Sequence, residues 1–334
     1  LRQPGSSFKP FVYLAALDSG YNPSSLILDA PIVMEKLAGS KWKPQNYSRQ
    51  FYGPTTLRVG IEKSRNLMTV RLAQAIGMRI ILEYGKKFGI SDKLEPNLST
   101  ALGASETTLM RLTSAYGMLV NGGKKIEPRL IDRIQDRTGK TLYKSGTRVC
   151  ENCVGELASM DVLPVPSDER EQIQDPVSAY QMVNILTGVV ERGTGKSVRS
   201  VKKTLGAKSG TSNDSFDAWF IGFSPDLVAG VWGGDGTPKT LGPHDTGGVV
   251  AAPIFRDFMK EALKDTPDIP FRVPQGVKLV RVNALTGQLA KKTDTNVIME
   301  SYRQETDLSK PQKVIGQDIS ISEEENLPDL GGLY

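Results

Sequence analysis

The 334-residue sequence predicts an α/β chain of the α+β type, in which helices pack around a set of antiparallel strands. Three observations carry this. A strongly apolar helix begins within the first ten residues, further segments repeat apolar residues at helical spacing, and three short apolar runs between residues 204 and 232 follow one another across tight turns.

The first helix is read over residues 6–19. Gly5 precedes it, the apolar run Phe11 to Leu17 fills it, Gly20 closes it, and Pro10 is tolerable because it lies in the first turns. Loops rich in Pro, Gly and Tyr follow to about residue 55. Residues 55–90 carry helical patterning around Leu57, Val59 and Ile61, then Leu67, Val70, Leu72 and Ile76, which sets Ser64 and Asn66 at a helix–helix junction. Leu109 to Val120 reads as a helix stopped by Asn121-Gly122-Gly123, and Leu130 to Tyr143 as a hairpin turning at Thr138-Gly139. After a loop-like stretch over 145–175, Tyr180 to Val190 is helical and ends before Gly193. Thr204 to Lys208, Ala218 to Phe223 and Leu227 to Trp232 are read as consecutive antiparallel strands. Val249 to Leu263 is a last helix, and Val277 to Val282 with Leu289 forms a small hairpin. From residue 301 the chain is polar, with seven acidic and three basic residues, and reads as a disordered tail.

Hydrophobic residues at 39% and charged residues at 24% describe a chain with ample material for a core. No run approaches the roughly 18 apolar residues of a membrane span, and no signal peptide is present. The net charge is +5 overall and +9 over residues 1–300. That excess reads as a solvated basic surface and not as a nucleic-acid site, because aromatics are 7% and no Lys/Arg run is interleaved with them. No metal site or cofactor is expected: the chain has one histidine, His244, and two cysteines, Cys150 and Cys153, short of a zinc ligand set. In an oxidising compartment the cysteines would close a tight disulfide loop; otherwise they are two reduced structural thiols. Gly193-Thr194-Gly195-Lys196-Ser197 resembles the end of a phosphate-binding loop, but Val190 stands where that motif needs glycine, and the segment follows a helix instead of opening one.

The chemistry gathers in three short motifs. Ser6-Ser7-Phe8-Lys9 is an SxxK at the start of the first helix, where residues three apart share a face and Lys9 can reach back to the Ser6 hydroxyl. A serine is a poor nucleophile until a base takes its proton, and a Ser-Lys pair is already local. Alone the spacing arises by chance in many chains. A second motif, Ser64-Arg65-Asn66, and a third, Lys208-Ser209-Gly210-Thr211, follow in order. The series SxxK, SxN, K-S/T-G marks penicillin-binding proteins and class A β-lactamases, and supplies a nucleophile with its base, a polar bridge and a cationic anchor for a carboxylate.

The flanking segments extend the match. RQPGSSFKPFVYLAAL, the W-K-P-Q-N run from Trp42 to Asn46, EKSRNLMTVRLA, TSAYGMLVNGGKKIEPRLI, ERGTG and KSGTSNDSFDAWFIGFSPDLVAGVWGG resemble the transpeptidase domain of class A penicillin-binding proteins, the bifunctional peptidoglycan synthases of the bacterial cell wall. The resemblance covers residues 1–300, with a small accessory hairpin near 130–155, and leaves 301–334 as the tail. Ser209 stands where threonine is more usual, and Arg65 fills the variable position of the second motif.

The resemblance implies the serine penicillin-binding/β-lactamase-like fold: a five-stranded antiparallel sheet flanked by helices, plus an all-helical subdomain. Three strands are legible here. The family places its first two before the SxxK helix, so they are expected upstream of Leu1 in a longer polypeptide. A membrane anchor and a glycan-polymerising glycosyltransferase domain are expected further upstream. The catalytic domain would then face the periplasm from the inner membrane, with other cell-wall synthesis proteins as possible partners. The implied substrate is a peptidoglycan stem peptide ending in D-Ala-D-Ala. Ser6 would be the nucleophile and Lys9 its base, directly or through Ser64; Asn66 would hold Lys9 and the substrate amide. Lys208 would be the second cation; Lys208, Ser209 and Thr211 would hold the terminal carboxylate, and Gly210 would let the substrate lie close to that edge strand. Backbone N–H groups of Ser6 and Thr211 would form the oxyanion hole. β-Lactams would acylate the same serine. A β-lactamase is disfavoured because Glu106, in NLSTALGASETTL, lacks the context of a deacylating carboxylate. A D,D-carboxypeptidase, or a β-lactam sensor that acylates without turnover, carries the same motifs.

Overall fold

The computed structural model describes residues 1–35, 41–146, 168–237, 239–309 and 313–317. Cys150 and Cys153 lie outside the described residues, so the disulfide expectation is not addressed.

A 3-10 turn, Gly5–Phe8, leads into α1 (Lys9–Asp18). Every residue of α1 from Lys9 to Leu17 is buried, which is why its sequence is apolar all round and not striped. The helix is the centre of the main core. Phe11 packs on Phe88 and Tyr116 with ring centroids 5.1 and 5.6 Å apart. Around it run β1 (Leu26–Asp29), β2 (Met34–Glu35), β3 (Lys41–Trp42), β4 (Gly53–Thr56), α2 (Leu57–Glu62), α3 (Asn66–Ile76) and α4 (Met78–Lys87). The stretch read as loop to residue 55 thus holds four short strands; β1 pairs with β4 and β2 with β3. Four-residue and two-residue strands leave too little alternation to register in a sequence pattern. α5 spans Leu109–Val120, and β5 (Arg133–Gln135) with β6 (Thr141–Lys144) forms the accessory hairpin. α6 spans Pro176–Glu191, with Asp175 accepting from the Ser178 N–H as its cap.

The sheet beside α1 contains, among the described residues, β7 (Gly206–Thr211), β8 (Asp217–Phe223) and β9 (Val228–Gly234), antiparallel in that order. These are the three strands legible in the sequence, with β7 at an edge. β8 is buried along its whole length because both faces are covered. Trp219, Ile221 and Phe223 join the core around α1, whereas Phe220 meets Phe255 of α7 (Ala251–Ala262) at 5.0 Å, the alternation expected of a strand.

Two expectations about the C-terminal region are corrected. β10 (Val277–Asn283) pairs with β11 (Val297–Arg303), and Leu289 makes only an isolated bridge to Val282. β11 crosses the expected boundary at residue 300, with Glu300, Ser301 and Tyr302 buried. Beyond it Ile315 bridges to Ile27 and exchanges backbone hydrogen bonds with Leu26 and Leu28, so part of the acidic stretch belongs to the fold. No described helix is long and apolar enough to cross a membrane.

Candidate active site

The three motifs, far apart in sequence, meet at one groove of about 510 Å³ lined by Ser6, Ser64, Asn66, Thr194, Ser209 and Thr211 among others. Each arrives by a different local device. The 3-10 turn that carries Ser6 is wedged between β7 and the loop at Gly103. A Cβ on Gly5, which has φ +52°, would sit 2.2 Å from the Thr211 carbonyl oxygen, and one on Gly103 would sit 2.0 Å from that of Gly5. Within the turn Ser6 is half-buried and lines the groove, while Ser7 is fully buried. Exposure thus separates the two serines of the motif.

Lys9, at the start of α1, is fully buried and its ammonium donates to Ser64 O (2.7 Å), Ser64 Oγ (3.3 Å) and Asn66 Oδ1 (2.6 Å). The reach back to Ser6 expected from helical spacing is not among its hydrogen bonds. Three fixed oxygens on the turn between α2 and α3 hold it instead. Ser64 sits at φ +55°, a conformation uncommon for a residue with a Cβ, and one that needs support from its surroundings. Lys208, fully buried on β7, donates to the same Ser64 Oγ at 2.9 Å and to Ser209 O at 2.8 Å. One hydroxyl therefore accepts from two buried lysines, which leaves its own proton free to point elsewhere. Burial is the main cause that pulls Lys9 well below the usual lysine range, and the charges of Lys208 and Arg65 add to it, against Asp29. Burial likewise pushes Lys208 down to about 7.

β7 presents its residues alternately. Ser209 and Thr211 face the groove; Ser209 Oγ lies 3.1 Å from Thr194 Oγ1, and Thr211 Oγ1 accepts from the Gly247 N–H at 3.1 Å. Ser212 donates to Asp217 O at 3.0 Å, so by the alternation of an antiparallel ladder the N–H groups of Ser209 and Thr211 point away from β8, to the free edge. A Cβ on Gly210 would meet Ser7 Oγ at 2.2 Å and Pro4 O at 2.3 Å, so the glycine makes room for the turn that carries Ser6.

The motifs do not reveal everything at the site. Asn46 and Asp29 support the Ser64–Asn66 turn from the stretch read as loop, with Asn46 Oδ1 accepting from the Asn66 N–H at 2.8 Å. Asn46 ends the W-K-P-Q-N run, the one signal available for it. Thr194 comes from the segment that imitates a phosphate-binding loop; its N–H donates to Glu62 O at 3.1 Å, which holds that loop against the end of α2.

This constellation has counterparts. The model of the penicillin binding protein transpeptidase domain matches residues 2–260. The chain belongs to that family. A penicillin-binding protein 1A from Rickettsia bellii is 46% identical over 306 residues, covering 91% of this chain and 38% of the relative. The crystal structure of penicillin-binding protein 1A from Haemophilus influenzae superposes with a TM-score of 0.81 at 29% identity, over 94% of this chain and 49% of that one. Penicillin-binding protein A from Mycobacterium tuberculosis, solved as a penicillin G acyl-enzyme complex, shares the fold with a TM-score of 0.59 at 21% identity, over 78% of this chain and 61% of that one. The penicillin-binding fold expected from the motifs is thus present, and the domain is a serine-type acyl transferase of class A type. The chain spans about two fifths of the length of the curated relatives it matches.

Proposed function

We propose that this transpeptidase domain cross-links peptidoglycan stems through an acyl-enzyme on Ser6. Ser6 Oγ attacks the carbonyl of the penultimate D-Ala, and its proton passes to neutral Lys9, directly or through the Ser64 hydroxyl. The C–N bond breaks, and the terminal D-Ala leaves as the amine with that proton. The amine of a neighbouring stem then attacks the ester and gives up a proton to the same base, which passes it to Ser6 Oγ as the ester C–O bond breaks and the new amide forms. Asn66 orients Lys9. Ser209 and Thr211 receive the terminal carboxylate, and the N–H groups of Ser6 and Thr211 stabilise the oxyanion, a kind of preorganised donor worth about 10²–10³ in rate. A β-lactam, whose strained amide mimics the same bond, acylates Ser6 and stays.

The observation that carries this reading is the single Ser64 hydroxyl held between two lysines, both shifted down by burial, beside the half-buried Ser6. The resemblance to class A penicillin-binding proteins suggests a wider proposal: that the whole protein is a bifunctional cell-wall synthase anchored in the inner membrane, with this domain in the periplasm. Two measurements test the domain's function. Peptide mapping after labelled penicillin should put one adduct on Ser6; an adduct on Ser7 or Ser64 would sink the assignment. Incubation with a pentapeptide stem should yield cross-linked product when an acceptor amine is present. Release of D-Ala with no cross-link in any acceptor would make the domain a carboxypeptidase, and acylation with neither product would make it a sensor.

A further inference from the structure

The residue that organises the Ser64–Asn66 turn stands on β1, outside all three motifs. Asp29 is fully buried, and its Oδ1 accepts from Asn46 Nδ2 at 2.7 Å. A carboxylate can only accept, so Asn46 has to turn its NH₂ group toward Asp29. The other NH₂ hydrogen goes to Gln50 O at 2.9 Å. Its carbonyl oxygen is then fixed in the opposite direction, at the start of α3, where it accepts from the N–H groups of Asn66 (2.8 Å) and Leu67 (3.3 Å). These are donors that a helix N-terminus leaves without partners, and Arg65, at the capping position, supplies no side-chain acceptor. The cap of α3 is therefore a side chain twenty residues upstream, oriented by a buried acid. Asn66, seated in this way, donates from Nδ2 to Gln45 O at 2.7 Å and accepts at Oδ1 from Lys9 Nζ at 2.6 Å.

The second oxygen of Asp29 accepts no hydrogen bond among the described residues and faces Arg65 Nε at 3.8 Å. The Arg65 guanidinium lies 3.3 Å over the Tyr52 ring, so the residue beside the strained Ser64 is gripped from two sides. We infer that Asp29 is a positioning residue for acylation: through Asn46 it sets the N-terminus of α3 and the Asn66 amide, and through Arg65 it holds the Ser64 turn beneath Lys9 and Lys208. It has an electrostatic part as well. The charged groups facing Lys9 are Lys208 from β7, Arg65 from the turn and Asp29 from β1, and Asp29 alone among them favours the ammonium. Asp29 itself faces Arg65, Arg71 and Lys9.

The inference rests on the reading of Ser6 and Lys9 above. Wild-type acylation at Ser6 tests that reading, whereas the ratio of mutant to wild type tests this one. The experiment measures the acylation rate constant for fluorescent penicillin from pH 5 to 10 in the full-length protein, alongside the melting temperature. Asp29→Asn can present an NH₂ to Asn46 and frees that amide to turn. It should lower acylation by about 10²-fold, the order of loss for an ångström-scale misplacement. It should also move the acid limb to lower pH, because the one anion favouring protonated Lys9 is gone. The exchange Asp29→Asn with Asn46→Asp keeps the bond between the two side chains and the cap of α3, giving up only the bond to Gln50 O, with a carboxylate now at a helix N-terminus that favours it, and should recover most of the loss. Wild-type acylation by Asp29→Asn overturns the inference. So does a slowed Asp29→Asn with an unmoved acid limb that the exchange does not rescue. If Asp29→Asn does not fold, the exchange decides: recovered acylation supports the inference, and slow acylation at a wild-type melting temperature overturns it.

Discussion

At Gly210 a missing methyl group decides where Ser6 sits. The middle residue of the third motif reads in the sequence as a place for substrate to lie close to a strand. In the fold the space above it is filled by Ser7 Oγ and Pro4 O, at 2.2 and 2.3 Å from where a Cβ would be. Both partners belong to the turn that aims Ser6, and one of them is backbone. Gly210→Ala must therefore push that turn off β7. The expected outcome is a loss of penicillin acylation of about 10²-fold with a lowered melting temperature, since ångström-scale displacement of a reacting group costs about that much. Acylation at the wild-type rate would show that the turn yields without moving Ser6. The motif makes the residue conspicuous but does not disclose this contact, because a motif states which residue types recur and not which face of the strand the rest of the chain covers.

Among the elements, those defined by local periodicity were legible and those defined by distant pairing were not. α5 was read to the residue, and β7, β8 and β9 within two or three positions of their ends, because short turns join strands whose alternation is complete. The C-terminal hairpin is legible only in part: Leu289 does bridge to Val282, flanked by backbone bonds from Asn283 to Gln288 and from Ala290 to Arg281, but this is not the main ladder. The turn signal around Asn283–Gly287 offers Leu289 as the nearest apolar partner, but the ladder forms with β11 from Val297. β11 is also tied to α2 by a long-range ion pair. Arg58 of α2 donates from Nη2 to Glu300 Oε1 at 2.6 Å and contacts Glu62 at 3.3 Å, with all three side chains almost fully buried. Burial leaves such a group no water, so removing one partner is worse than removing the pair. Glu300→Ala should cost about 3–5 kcal/mol in denaturant unfolding. The combined change of Arg58→Met and Glu300→Leu should recover most of that. If the single change costs no more than the double, the guanidinium is not held by Glu300 and the hairpin is fastened by its apolar contacts alone.

For the molecule as a whole, the site is a set of costs that the surrounding core offsets. Two lysines are buried, Ser64 is held at positive φ, and Ser7 Oγ is buried without a hydrogen-bond partner among the described residues. Three motifs in order were enough to assemble Ser6, Lys9, Ser64, Asn66 and Lys208 before any fold was seen. Asp29 and Asn46 were invisible as a pair, because nothing in the stretch around them has a period, and their relation exists only once β1 lies beside α3. The cost itself has a pH signature. Lys208 is depressed to about 7 in the fold and returns to the ordinary lysine range near 10.5 on unfolding. Between those values the unfolded chain binds a proton that the folded chain does not, so stability rises with pH, by about 1.4 kcal/mol per pH unit for one such group. Below about 7 both states are protonated and the full penalty of burying the charge remains. Lys9, depressed in the same direction, adds to the rise. Above about 10 the buried tyrosines act oppositely: Tyr302, raised to about 12, stays neutral in the fold while the unfolded chain ionises, and stability is lost. Replacing Lys208 by Met removes one titrating charge from the interior. In urea unfolding, the stability of the wild type minus that of Lys208→Met should therefore climb steadily from pH 7 to pH 10, while the mutant's penicillin acylation collapses. A difference that stays level across that window would mean that Lys208 keeps its proton in the fold as readily as in water, and that burial does not set its charge.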